Sequence, residues 1–597
     1  MKYQHQILLG LLLLLSLNGH SQIFELNKQR NAFAAKQYDY DSLNLALRFP
    51  DNVRMLLLPF KNITTVNPQI GELRNLVELD LRGGSFSGFP EEIKNLQELK
   101  YLFLGQNTYL DADRVFRSIK DLPKLEILDL GSCKLDTLPE SIKLLGSLVS
   151  LDLAGNNLTT LPACIGQLKN LEYIELSRNN DLDYAQVVKV LNEAPQLKQI
   201  WLGFNQLRSI PNEFFDLKHV KSLVLLNNKI NTISPEISRL TQLEYLCLQG
   251  NSIKKLPNSF ASLSNLKQLD LEFNERLNVP QIFGVLSKTN VEELLLAGNN
   301  IEKLPKSVEQ FSNLKSINLM NNFDLDLADS FEKLGNVSFL ETLELDNNDI
   351  KKLPANVSSL RNIQKLDLRG NRISKLPKGF SQLQNLKYID LSGNKFASFP
   401  MALYDLKGLE TLIFVGDRKL VLNEQIGNLK ELRELDLWGR KITKLPASFS
   451  QLSKLETLRL IQNNLKKLPE DFGRLTELEE MWLNGNDIVQ LPASLADLKK
   501  LKNLNLGGNQ LTSLPAELFD IESLEILIVW ENQLESLPSS IGQCKNLRFL
   551  DLASNNLTSI PAEIAKCTNL EILTIDSKVE NVDELQKLLP NTWIKVE

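Results

Sequence analysis

The feature that most restricts this chain is a repeat. Leu148, Leu151, Leu153, Asn156, Leu158, Leu161 and Pro162 recur, at the same spacing, as Ile363, Leu366, Leu368, Asn371, Ile373, Leu376 and Pro377, and again as Leu547, Leu550, Leu552, Asn555, Leu557, Ile560 and Pro561. Sliding the sequence along itself gives a period of 23 residues and about 23 copies, with strand centres from residue 56 to residue 573. Alternate side chains of a strand point opposite ways, so the paired Leu of each copy enter a core while the residues between them face outward. One copy cannot bury its Leu face alone; a stack of copies can.

The unit L-x-x-L-x-L-x-x-N-x-L is identified as the leucine-rich repeat. The expected fold is an α/β solenoid, a leucine-rich-repeat horseshoe with a parallel concave β-sheet and mostly short turns or helices on the convex side. Asn107, Asn156, Asn179, Asn205, Asn228, Asn251 and their successors to Asn555 form an inner ladder whose amides satisfy backbone groups at the bends. Cys133 replaces one rung, and Gly84, Asp417 and Arg440 depart from the pattern, which predicts local distortion near 412 and 435. The repeats centred near 102, 174 and 317 run to 26 residues, and in them Asp111, Asp183 and Asp326 read as helix N-caps. Their alternate-Asp runs lack the remainder of a calcium loop.

The expected organisation is a signal peptide over 1–21, an N-terminal cap over 22–53, repeats over 54–575 and a C-terminal cap over 576–597. Met1-Lys2, the apolar run Ile7–Leu17 and the small residues Gly19 and Ser21 carry the first assignment. It implies an exported protein, in the periplasm, on the cell surface or in the medium, with no integral membrane segment in the mature chain.

Composition then narrows the chemistry. Lys+Arg 67 against Asp+Glu 73 gives −6 over 597 residues, which argues against nucleic acid as the main partner. Of three His, His5 and His20 fall in the targeting segment, leaving His219 on the convex return. One imidazole, no Gly-rich phosphate loop and no metal-finger spacing of the five Cys argue against an enzyme and against a metal or other cofactor. Cys544 and Cys567 occupy one slot of consecutive repeats and read as buried thiols, with a disulfide as the alternative. Asp80, Asp129, Asp152, Asp270, Asp367, Asp390, Asp436 and Asp551 all follow a central Leu or Ile; their regularity reads as a solvated acidic stripe, not a catalytic pair. A Lys column before the Leu-Pro bend (Lys255, Lys303, Lys352, Lys375, Lys444 and Lys467) reads as a solubilising surface, with a polyanion contact as the alternative.

The outward positions are the informative ones. Trp438, Trp482 and Trp530 sit there without being needed by the core, and Ile413, Val415, Ile461, Ile526, Ile528 and Phe549 surround them, which predicts a ligand-binding apolar patch. Tyr101, Phe103, Tyr173, Trp201, Phe204 and Tyr245 form a second, more dispersed aromatic group. Between the groups lie Asp270, Glu272, Glu293, Glu344, Asp346, Asp367 and Asp390.

The Leu-Pro-x-x-Ile-x-x-Leu unit resembles the 23-residue class of Ras-suppressor-type leucine-rich proteins and their plant intracellular relatives. The cap before Pro50 and the signal peptide make the chain look more like exported bacterial members, those of Bacteroidetes especially. The resemblance covers residues 40–597 and implies a curved, non-catalytic binding scaffold without naming a ligand. A protein partner on the concave face is expected, because the aromatics are mixed with Ile and Val. A cell-surface adhesion or host-interaction protein, a carbohydrate-binding or carbohydrate-processing protein with a glycan partner, and, without export, an intracellular signalling scaffold stand as alternatives.

Overall fold

The structure, a computed structural model, describes residues 43–48 and 50–597. The targeting segment and most of the N-terminal cap lie outside the described residues. The chain divides into two compact units, one ending at Arg276 and the other beginning at Leu277.

In the first unit, helix α1 (Leu43–Ala46) precedes ten short strands: β1 (Met55–Leu57), β2 (Glu78–Asp80), β3 (Tyr101–Phe103), β4 (Ile127–Asp129), β5 (Ser150–Asp152), β6 (Tyr173–Glu175), β7 (Gln199–Trp201), β8 (Ser222–Val224), β9 (Tyr245–Cys247) and β10 (Gln268–Asp270). Each pairs with the next in parallel, central Leu or Ile against central Leu or Ile, as Leu151 does with Ile174. The second unit continues with β11 (Glu293–Leu295), β12 (Ser316–Asn318), β13 (Thr342–Glu344), β14 (Lys365–Asp367), β15 (Tyr388–Asp390), β16 (Thr411–Ile413) and β17 (Glu434–Asp436). It then adds β18 (Thr457–Arg459), β19 (Glu480–Trp482), β20 (Asn503–Asn505), β21 (Ile526–Ile528), β22 (Phe549–Asp551), β23 (Ile572–Ile575) and β24 (Trp593–Val596), in the same parallel register. All 23 expected strand centres are observed, and β24 is the Trp593–Val596 segment assigned from sequence to the C-terminal cap.

Repeat length decides how the chain returns from each strand to the next. A 23-residue repeat returns through a single five-residue 3₁₀ turn, such as Ala163–Gln167 after Pro162. Three more residues admit an α-helix: α2 (Ala112–Ile119), α3 (Tyr184–Asn192) and, in the second unit, α5 (Leu327–Leu334). Asp111, Asp183 and Asp326 cap them, accepting from the N–H of Arg114, Gln186 and Asp329 at 3.1, 3.2 and 3.2 Å. A further helix, α4 (Val279–Leu286), capped by Asn278 with Pro280 in its first turn, is not expected from the sequence. The C-terminal cap holds α6 (Val582–Leu588) against the last repeat.

The Asn ladder does what the spacing implies. Asn156 Nδ2 donates to the carbonyls of Leu130 and Leu153, both at 2.9 Å, and its Oδ1 accepts from Leu135 N–H at 2.9 Å. Each rung thus ties two repeats and its own bend, satisfying groups that would otherwise be buried unpaired. Cys133 fills its rung with a thiol contact to Leu104 O at 3.4 Å. Arg440 fills another: its side chain, 1% exposed, lies with its guanidinium 4.4 Å from the Phe414 ring centroid and packs on Gly416, in the space left by the outward-turned Asp417. All five Cys are buried free thiols; Cys544 and Cys567 donate separately to Phe519 O and Ile541 O.

Candidate binding face

The residue after each central Leu sets the chemistry of the strand face. Asp80, Asp129, Asp152, Asp270, Asp367, Asp390, Asp436 and Asp551 each accept, at 2.7–3.1 Å, from the backbone N–H two residues on. The expected solvated stripe is therefore corrected: Asp80, Asp270, Asp367 and Asp390 are buried, and all eight act as local caps for the turn at the end of the strand. Asn318 and Asn505 take the same role, accepting from Met320 and Gly507 N–H at 2.8 and 3.0 Å.

Burial and mutual proximity push several of these carboxyls up. Asp152 and Glu175 lie on neighbouring strands and stay well above and above the usual carboxylate range respectively, burial being the main cause in both. Asp270 is pushed up to about 6 and Asp367 to about 7, again chiefly by burial. Arg82 Nε donates to both Asp80 carboxylate oxygens at 3.0 Å.

In the second unit the structure gathers the expected apolar residues on one face of β16 to β22, interrupted at β20, whose outward residues are Asn503 and Asn505. Trp438 and Trp530 are 44% and 38% exposed, each three residues beyond its strand's central Leu, while Trp482 lies one residue beyond the centre of β19 and is half-buried. Ile413, Val415, Ile461, Ile526, Ile528 and Phe549 are all half-buried on the same face. Parallel strands about 4.8 Å apart put neighbouring Trp about 10 Å apart across the sheet, with a further offset of about 7 Å along it for Trp482.

Three neighbours hold the exposed tryptophans. Asp436 holds the Trp438 N–H at 3.0 Å, and the Trp438 indole Nε1 donates to Gln462 Oε1 at 3.0 Å. Trp530 lies flat over Gly507, where an added Cβ would fall inside contact of the indole. Neither Asp436 nor Gly507 stands out in the sequence; the Asp resembles its column mates and the Gly a turn residue.

The first unit assembles the second group only in part. Tyr173 and Trp201 meet edge to face at 5.7 Å, the Tyr173 hydroxyl donates to Glu175 Oε2 at 3.0 Å, and Arg178 stacks 4.0 Å from the Phe204 ring centroid. Tyr101 is 7% exposed, which removes most of its ring from any ligand, and Phe103 and Tyr245 are half-buried on β3 and β9. β4 and β5 separate Phe103 from Tyr173. Phe60, Phe204 and Phe273 occupy left-handed backbone, φ 58°, 58° and 52°, in a bend position that takes Gly or Asn in many other repeats.

His219 is half-buried with its Nε2 enclosed and without a hydrogen-bond partner, so it is less of a surface residue than its place on the return suggests; burial lowers its pKa. Among the described residues no three His, Cys, Asp or Glu side chains converge as metal ligands, and no helix is long and apolar enough to cross a membrane. Of the alternate-Asp pairs, Asp111 is a cap and Asp113 an ion-pair partner of Arg117.

This geometry defines a repeat protein whose outward strand positions, not its core, differ from copy to copy. A family profile described as "Leucine-rich repeat region" matches residues 93–216, 291–421, 417–506 and 489–590, and one described as "Leucine Rich Repeat" matches 242–263. The chain belongs to the leucine-rich-repeat family. No curated protein sequence matches it significantly. Among solved structures it is similar to TLR13 in complex with ssRNA13, at 24% identity over 87% of this chain and 80% of that one, with a TM-score of 0.63. It is also similar to the plant peptide hormone receptor RGFR1 in complex with RGF2 (25% identity, 89% and 84% covered, TM-score 0.45). A leucine-rich-repeat protein of Leptospira interrogans matches at 26% identity over 94% and 100% of the two chains, with a TM-score of 0.24. The first of these establishes the solenoid fold.

Proposed function

We propose that the chain is a non-catalytic, exported scaffold, of the bacterial kind its sequence resembles, that binds a protein partner on the strand face of its second unit. The observation that carries this reading is the exposure of Trp438 and Trp530, side chains that the Leu core does not use and that water does not favour on a surface. Trp482, Ile413, Ile461, Ile528 and Phe549 extend the patch, and the oriented indoles are rigid contact area that loses little side-chain entropy on binding. The Tyr173–Trp201 group of the first unit, with Phe103, Tyr245 and the buried Tyr101, is the secondary site of this reading. Carboxylates that could serve as acid and base are engaged as backbone caps, which favours recognition over catalysis.

The test uses full-length protein as bait against the envelope and medium of its source, with a Trp438→Ala, Trp482→Ala, Trp530→Ala triple variant as the counter-bait. A partner retained by the wild type and lost by the folded triple variant is the expected result. A partner retained equally by both contradicts the assignment, as does turnover of a glycan, peptide or nucleotide abolished by a single carboxylate substitution on the strand face.

A further inference from the structure

Charge is handled differently on the two edges of the second unit's sheet. On the edge entering the strands, cations meet anions from a neighbouring repeat: Lys387 with Glu410 at 3.2 Å, Lys454 with Glu431 at 2.6 Å, Lys500 with Glu477 at 2.6 Å and Lys502 with Glu479 at 2.7 Å. On the edge leaving them, Lys352, Lys375, Lys444 and Lys467 occupy one slot, nine residues past the central Leu of β13, β14, β17 and β18, and in the two repeats between, Lys395 and Lys419 lie three and two residues nearer the strand; all six are exposed. None of the six forms an ion pair among the described residues, and further basic residues flank most of them. Beyond the strand ends, the carboxylates in these six bends are Asp349, already paired with Arg372, and Asp417, and Glu424 on the return from β16 lies near Lys444 while accepting from the Ala447 and Ser448 N–H.

Part of this edge is laddered between repeats: Arg372 N–H donates to Ile350 O at 2.9 Å, Lys395 N–H to Ile373 O at 2.8 Å and Asn464 N–H to Ile442 O at 2.9 Å, while between them, at the Asp417 and Arg440 bends, Leu420 N–H donates to Arg440 O at 2.8 Å. Repeats advance by about 4.8 Å, which spreads the cations over about 24 Å in a narrow row, two pairs in one slot with Lys395 and Lys419 offset toward the strands between them. Like charges stacked at this spacing repel, and the same protein neutralises them on its other edge; here the positive row is left open.

We propose that this edge binds a linear anionic polysaccharide, its carboxylate or sulfate groups lying along the Lys row. A line of cations fits a chain and not the plane of a membrane. Residues between the cations, such as Ser374, Ala397, Ser398 and Thr443, are small, and the Phe396 and Phe399 rings are buried, so the edge lacks the exposed aromatic platforms on which single-stranded nucleic acid stacks. Lys predominates over Arg, which suits diffuse attraction to spaced anions more than forked recognition of phosphate. The overall charge of −6 means that any such binding rests on the local row. The site is separate from the tryptophan face and does not depend on it.

The experiment titrates full-length protein with polygalacturonate, dextran sulfate, neutral dextran and oligo-dT at several salt concentrations. Binding to at least one anionic polysaccharide and none to dextran is expected, with the two anionic arms separating carboxylate from sulfate. The variant Lys375→Gln, Lys444→Gln, Lys466→Gln, Lys467→Gln should bind at least tenfold more weakly at low salt, with a shallower dependence of log Kd on log salt. A control with the same loss of charge, Lys120→Gln, Lys143→Gln, Lys169→Gln, Lys189→Gln on the return side of the first unit, should match the wild type. No binding by the wild type, equal losses in both quadruple variants, or tighter binding to oligo-dT than to either anionic polysaccharide would overturn the proposal.

Discussion

Replacing Asp367 with Asn should stabilise the protein by an amount that grows as pH rises from about 4 to about 7. Asp367 is 7% exposed, accepts the Arg369 N–H at 2.9 Å and pairs in register with Asp390 on the next strand. Burial raises its pKa to about 7 and the Asp346 and Asp390 charges add to this, against the Arg369 N–H and guanidinium, which lower it. A folded-state value above the unfolded one means the native chain holds the proton more tightly. The favourable contribution is complete below about pH 4 and is lost as pH rises through about 7. At about 1.4 kcal/mol for each pH unit separating the two values, the loss has an upper bound of about 4 kcal/mol; relaxation and the half-exposed Arg369 reduce it to the order of 1–3 kcal/mol. Asn keeps the cap, as Asn318 and Asn505 already do in their repeats. Urea unfolding at pH 4.0, 6.0 and 8.0 should therefore show Asp367→Asn gaining about 1–3 kcal/mol at pH 8.0 and almost nothing at pH 4.0. Destabilisation at pH 8.0, or an equal change at both ends of the range, would refute the reasoning.

Three further outcomes are expected. Leu483→Ala, beside Trp482 but fully buried, should lower stability by about 2–5 kcal/mol in the same urea assay. Gly507→Ala should push the Trp530 indole off its seat, weakening partner binding at least tenfold without a loss of stability on the scale of Leu483→Ala, as read by titration calorimetry alongside the unfolding curve. His219→Ala should leave binding unchanged, because the imidazole lies on the return side; a loss of affinity in the same calorimetric titration would count against that.

Much of this architecture is legible before any coordinates. A Leu pair every 23 residues places every strand, because only one register buries all of them, and Asp before a helical stretch of a 26-residue repeat marks a cap through a bond to the N–H three residues on. Helix α4 escapes such a reading because its repeat is only slightly longer than its neighbours and its cap is Asn278, not Asp. The Asp column reads as solvated because alternation says which way a side chain leaves the strand, not that a short carboxylate folds back onto the next N–H but one. Arg440 reads in the sequence as a lost rung; its burial depends on Gly416 and Phe414 of the preceding repeat and on Asp417 turning outward. At the binding face the residue types are legible and their depth is not. Trp482, one residue past its strand centre, is walled by its neighbours, whereas Trp438 and Trp530, at the strand's exit, stand clear.

The central claim is that Trp438 and Trp530 contact a protein partner and contribute little to folding. The most direct measurement is the affinity of the captured partner for wild-type protein and for Trp530→Ala, each paired with an unfolding curve. Interface Trp commonly carries about 2 kcal/mol or more, so Kd should rise on the order of 30-fold with the unfolding midpoint nearly unchanged. An unchanged Kd, or a loss of stability as large as that of Leu483→Ala, would show that the indole is structural and that the strand face of the second unit is not the binding site.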